Sequence, residues 1–93
     1  MKNEPIVSIL MPTYNQEKYV GQAIESVLNQ NFDKNYVIII GDDCSTDNTR
    51  TICEKYQNKY PEAIKLIFNE SNLGIVKNYQ NLFNQVNSKY IQS

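Results

Sequence analysis

Apolar residues along the chain fall into short runs, and each run is followed by a stripe at helical spacing. Val7-Ser8-Ile9-Leu10-Met11 is the first run and predicts a strand that stops at Pro12, because the proline ring restricts the backbone before it. Val20, Ala23, Ile24, Val27 and Leu28 then recur on one helical face, predicting a helix from about Glu17 to Gln30. Asn31 to Asn35 breaks the pattern. Tyr36-Val37-Ile38-Ile39-Ile40 is apolar on both faces and β-branched from Val37 onward, as expected of a central strand covered on both sides. Ser45-Thr46-Asp47-Asn48 supplies capping side chains for a second helix, which Ile52, Cys53, Tyr56 and Tyr60 continue to Pro61. Ile64 to Phe68 predicts a third strand, and Asn69 to Gly74 a turn-rich loop. Val76, Tyr79, Leu82, Phe83 and Val86 predict a third helix, and Lys89-Tyr90-Ile91 the start of a fourth strand.

Strands alternating with helices in this way imply right-handed parallel crossovers. The expected fold class is α/β: three layers, α/β/α, around a mostly parallel Rossmann-like sheet in the order β-α-β-α-β-α-β. No repeat, linker or low-complexity segment divides the 93 residues, which make one domain at most.

Charge narrows the function. Nine basic against ten acidic residues leave a net charge of −1, and Arg50 is the single arginine. No basic face for nucleic acid is therefore expected. The longest apolar run, Tyr36 to Ile40, is far below the roughly 20 residues that cross a bilayer. Two cysteines are too few for a secreted disulfide framework and read as reduced thiols in a cytoplasmic chain. Asn69-Glu70-Ser71 matches a glycosylation acceptor, a chance match in such a compartment. The chain has no histidine, so a Ser-His or Cys-His nucleophile pair cannot form within it.

Candidate chemistry gathers where strands exit, the place where open α/β sheets bind ligands. Asp42-Asp43 closes the most apolar strand of the chain. Acids there suit the positive end of the next helix, but Ser45 to Asp47 already provide for capping. A second carboxylate can accept hydrogen bonds from a base N–H or from ribose hydroxyls. Successive residues leaving a strand point opposite ways, so one acid faces a ligand and the other the loop. Tyr14 offers a flat face for a nucleobase on a loop stiffened by Pro12, or an ordinary packing surface. Lys77, in a first helical turn after Gly74, can meet phosphate oxygens or simply face water. Cys44 lacks a histidine partner and reads as a small loop residue.

Taken in order, several segments resemble the N-terminal part of family 2 glycosyltransferases, which have the GT-A fold. They are Val7-Ser8-Ile9-Leu10-Met11-Pro12-Thr13-Tyr14-Asn15, Ser26-Val27-Leu28-Asn29-Gln30, Asp42-Asp43-Cys44-Ser45-Thr46-Asp47-Asn48-Thr49, Asn72-Leu73-Gly74 and Lys89-Tyr90-Ile91. Each is weak alone; together they span almost the whole chain.

The resemblance implies an enzyme of polysaccharide biosynthesis that transfers sugar from a nucleotide-diphosphate donor, usually UDP-linked, to a hydroxyl of a glycan or lipid-linked acceptor. It implies a nucleotide-sugar pocket in which Pro12 and Tyr14 frame the base and Asp43 binds the uracil edge. Asp42, Thr13 and Glu17 are further candidates for that pocket, and Lys77 or Asn78 for the diphosphate. Cys44 stands where the family commonly has Gly.

The family's metal-binding Asp-x-Asp motif follows the fourth strand, so residues 1–93 are expected to be a domain portion truncated before it. The Mg²⁺ or Mn²⁺ ligands and the catalytic base are then expected outside this chain, leaving the fragment inactive alone. Further expectations are a place at the inner membrane face for the full-length protein and self-association through the unfinished sheet. The alternative is a receiver-like α/β signalling module, which would need acids after the first strand as well as the second.

Overall fold

The computed structural model describes residues 7–30 and 36–90. Three strands and three helices alternate: β1 (Val7–Thr13), α1 (Val20–Leu28), β2 (Tyr36–Asp42), α2 (Thr49–Lys59), β3 (Ile64–Phe68) and α3 (Ile75–Tyr90). The strands form one parallel sheet in the order β1-β2-β3. β1 and β2 pair from Val7 opposite Tyr36 to Thr13 opposite Asp42, so both leave the sheet at the same level. Pro12 lies inside β1, one residue beyond the expected stop. Among the described residues β1 is an edge strand, where a missing N–H is tolerated.

Each step from β1 to β2 to β3 moves the same way across the sheet, and a right-handed crossover puts α1 and α2 on one common face. There Val20, Ile24 and Cys53 pack with Ile38, Ile40 and Ile64. α3 lies on the opposite face against β1 and β2, where Leu82 packs with Val37 and Ile39. The sheet is therefore covered on both sides, as the unbroken apolar run of β2 requires. Ile24, Ile38, Ile40 and Ile64 are wholly buried. Each contributes about 1.5–3 kcal/mol, far more than a surface ion pair such as Arg50–Glu54, worth about 0.3–0.5 kcal/mol.

The expected fourth strand is corrected. Lys89 and Tyr90 are the last residues of α3, and Ile91 lies outside the described residues. The helical spacing of Tyr79, Leu82, Phe83 and Val86 simply continues to position 90, with no glycine or proline to stop it. That stripe is also less buried than its pattern implies. Leu82 is fully covered, whereas Val76 is 67% exposed and Phe83 48% exposed. Among the described residues no helix is long and apolar enough to cross a membrane.

Gly41 sets how closely α3 approaches the sheet. A Cβ there would lie 2.7 Å from Leu82 Cδ2 and 2.9 Å from Asn78 Oδ1. Asn78 uses the free space to donate its amide to the Gly41 carbonyl at 3.0 Å. Gly41→Ala is expected to cost about 1–3 kcal/mol by overpacking, read as a lower denaturation midpoint at unchanged slope. The thiols should differ too. Burial, with the charges of Asp42 and Glu54, pushes the Cys53 thiol up to about 12. A thiol reagent near neutral pH should modify the partly exposed Cys44 in the folded chain and reach Cys53 only on unfolding.

Candidate functional site

A cleft of about 300 Å³ opens at the carboxyl ends of β1 and β2. That is the low end of the range for small-molecule sites. β1 and its exit contribute Pro12, Thr13, Tyr14 and Gln16; the exit of β2 contributes Asp43. Asn72 and Gly74 of the β3–α3 loop and Ile75 and Asn78 of α3 complete the wall.

Asp43 is only 2% exposed, and its carboxylate is held by the β3–α3 loop. Leu73 N–H donates to Oδ1 and Oδ2 at 2.8 and 3.0 Å, Gly74 N–H to Oδ2 at 2.8 Å, and the Asn69 amide to Oδ1 at 2.8 Å. Burial pushes this carboxyl up. The Leu73 N–H, the Asn69 amide and the Gly74 N–H outweigh it and hold the group below its ordinary 3.8. Gly74 has φ +87°, a left-handed conformation that glycine adopts without steric cost. The loop can thus bend its N–H groups onto the acid.

Asp42 faces the other way. Its two oxygens accept from the Ser45 hydroxyl at 2.5 Å and the Ser45 N–H at 3.1 Å. The β1–α1 loop is bolted onto this turn. Asn15 N–H donates to Ser45 Oγ at 2.9 Å, while Asn15 Oδ1 accepts from Thr46 N–H at 2.8 Å. Gln16 N–H donates to Thr49 Oγ1 at 2.7 Å. Glu17 accepts from Asn48 N–H at 2.9 Å, and Glu17 N–H donates to Asp47 at 3.2 Å. Asp47 in turn accepts from the N–H and hydroxyl of Thr49, the first residue of α2, which is the role expected of a capping group. Cys44 sits in this turn at φ +64°, a region costly for any residue with a Cβ. That backbone accounts for the glycine that the family resemblance leads one to expect.

Of the residues singled out in the sequence, Pro12, Thr13, Tyr14, Asp43 and Asn78 meet at the cleft. Glu17 and Asp42 are committed to the loop bonds, and Lys77 is exposed on α3 outside the lining residues. Asn72 lines the cleft from a segment that carries the family resemblance, whereas Gln16 and Ile75 line it, and Asn69 braces it, without having been singled out. Residue type and spacing do not distinguish these three beforehand. Among the described residues no three Cys, Asp or Glu side chains converge as a set that could hold a metal ion.

Asp43 also ties stability to pH. A carboxyl lowered on folding stabilises fully above its unfolded value, and that contribution is lost as pH falls through the folded value. Asp43→Asn should therefore destabilise the chain at neutral pH by about 1–3 kcal/mol, toward the lower figure because solvent screens the loop. The gap to wild type should close as the pH drops below about 3.8, measured by denaturant unfolding at each pH.

Comparison with known proteins bears on this arrangement. The model of Glycosyl transferase family 2 matches residues 8–92. A putative glycosyltransferase, EpsE of Bacillus subtilis (strain 168), is 36% identical over 91 residues, 98% of this chain and 32% of its own length. TuaG of the same organism, a putative teichuronic acid biosynthesis glycosyltransferase, is 34% identical over 95% of this chain and 34% of its own length. The present chain thus spans about a third of these relatives. In structure it is similar to a mannosyltransferase from Pyrobaculum calidifontis solved with GDP-Man and Mn²⁺. The TM-score is 0.77 at 18% identity, over 89% of this chain and 25% of that one. The fold is thereby that of a GT-A glycosyltransferase, and the receiver-like alternative lacks its acids, since β1 exits into Thr13, Tyr14 and Asn15. With the family pattern matched from the second residue of β1 to beyond the end of α3, the chain belongs to glycosyl transferase family 2.

Proposed function

We propose that the cleft holds the nucleotide of a sugar donor, UDP in preference to other nucleotides. The wider protein would then transfer that sugar to a hydroxyl of a glycan or lipid-linked acceptor in polysaccharide assembly. The observation that supports this most is the placing of Asp43: an ionised carboxylate at the exit of β2, lining the cleft beside Tyr14. A carboxylate there accepts from a ring N–H or from ribose hydroxyls. Tyr14, 44% exposed as a residue, offers its ring as a stacking face, and Pro12 holds the backbone that carries it. Gly74 and Ile75 bring the start of α3, the positive end of its dipole, to the same cleft, which suits a diphosphate. Lys77 in the first turn of α3 can add charge from outside the lining.

The names of the relatives support the acceptor class. EpsE and TuaG are glycosyltransferases by name, and TarS of Staphylococcus aureus (strain Mu50 / ATCC 700699), 47% identical over 53 residues, acts on poly(ribitol-phosphate). TarS matches 56% of this chain and 9% of its own length. A divalent metal would offset charge on the departing nucleoside diphosphate. In this reading its ligands, and the base that activates the acceptor, belong to the remainder of the enzyme.

Titrating UDP and GDP separately into the isotopically labelled chain tests the proposal. UDP should shift the amide signals of Thr13, Tyr14, Asp43 and Gly74, and Tyr14→Ala should weaken it about tenfold through lost stacking. Response to GDP alone would overturn the choice of base. Response to neither would overturn the nucleotide site.

A further inference from the structure

We propose that Asn69 is a positioning residue for the ligand-binding face of Asp43, the end of an asparagine relay whose polarity is set by the backbone. This rests on the nucleotide reading of the cleft. Asn69 follows β3, and its N–H donates to the Asp42 carbonyl at 2.9 Å, extending the strand pairing by one step. Its side-chain amide donates to Asp43 Oδ1 at 2.8 Å and to Asn78 Oδ1 at 2.9 Å, while its own oxygen accepts from Asn81 at 3.3 Å. Asn78, 1% exposed, donates to the Gly41 carbonyl at 3.0 Å.

A carbonyl can only accept. Asn78 must therefore turn its NH₂ to Gly41 and its oxygen to Asn69. Asn69 must then present both amide hydrogens, and Asp43 always meets a donor. A flipped amide would set oxygen against oxygen at both contacts. The relay thus holds the carboxylate ionised and in one orientation, leaving its remaining acceptor capacity for a ligand.

The groups that meet Asp43 are uncharged: Thr13 from β1, Asn69, Leu73 and Gly74 from the loop, and Asn78 through the relay from α3. The neighbouring Asp42 is turned to Ser45. With no histidine in the chain, no side chain at its ordinary pKa titrates between about pH 5 and 7.

The test is UDP-glucose binding to the chain as a function of pH, with carbon-detected titration of the Asp43 carboxyl. A doubly esterified diphosphate avoids the terminal phosphate ionisation near pH 6. Wild-type affinity should stay level from about pH 8 to about pH 5. The isosteric Asn69→Asp replaces a donor by a second carboxylate and should bind about tenfold more weakly at the upper end. It should regain affinity on acidification, when a shared proton restores a donor to Asp43. Asn69→Ala should move the Asp43 titration upward. A pH-independent loss in Asn69→Asp, or an unmoved Asp43 titration in Asn69→Ala, would show a purely structural residue and overturn the proposal. A wild-type chain that binds no UDP-glucose overturns the nucleotide reading and this one with it.

Discussion

A largely buried negative charge at the end of β2 is the constraint around which this end of the molecule is arranged. Asp43 can stay ionised there only if donors surround it, since an unpaired buried carboxylate is prohibitively costly. The donors come from the β3–α3 loop. Leu73 and Gly74 must then pass directly over the acid, and α3 must begin where it does. Asn78 in the first turns of that helix reaches the Gly41 carbonyl because glycine leaves the space open. One charge therefore sets the path of a loop, the start of a helix and one wall of the cleft.

The other wall is built differently. Asn15, Gln16 and Glu17 engage Ser45 to Thr49 through neutral and charged hydrogen bonds that run between two loops rather than toward a ligand. The acidic and hydroxylic residues after β2 that carry the family resemblance are mostly scaffold. Their chemistry is capping and cross-linking, which fixes the height at which Tyr14 stands beside the cleft. Polar residues clustered at a strand exit can thus be a framework for a site as readily as its contact surface.

The fold was legible because burial on two faces demands an unbroken apolar run, and Tyr36 to Ile40 is one; the three helices followed from their stripes. The fourth strand was misread because a short β-like triplet at the end of a helical stripe carries no stop signal of its own. At the site, the Asp42-Asp43 pair and Tyr14 stood out by type and place. Asn69 did not, because an amide in a turn-rich segment looks alike whether it faces water or anchors a buried relay. Asn78 entered only through the family resemblance, as a diphosphate candidate rather than as a link in that relay.

By itself the sequence determined the alternation of strands and helices, the two-faced burial of β2, and the gathering of polar groups where strands exit. Each of these depends on residue type and spacing, which are local properties. Residue type and spacing did not decide which of two adjacent carboxylates would face the cleft, although the family resemblance pointed to Asp43. Neighbours on a strand point to opposite faces, so that choice belongs to whatever covers each face. The crossovers placed α1 and α2 over one side and α3 over the other. Asp42 consequently meets the turn before α2, and Asp43 meets the loop before α3. Only the path of the chain through three dimensions separates the acid that braces a turn from the acid that lines the cleft.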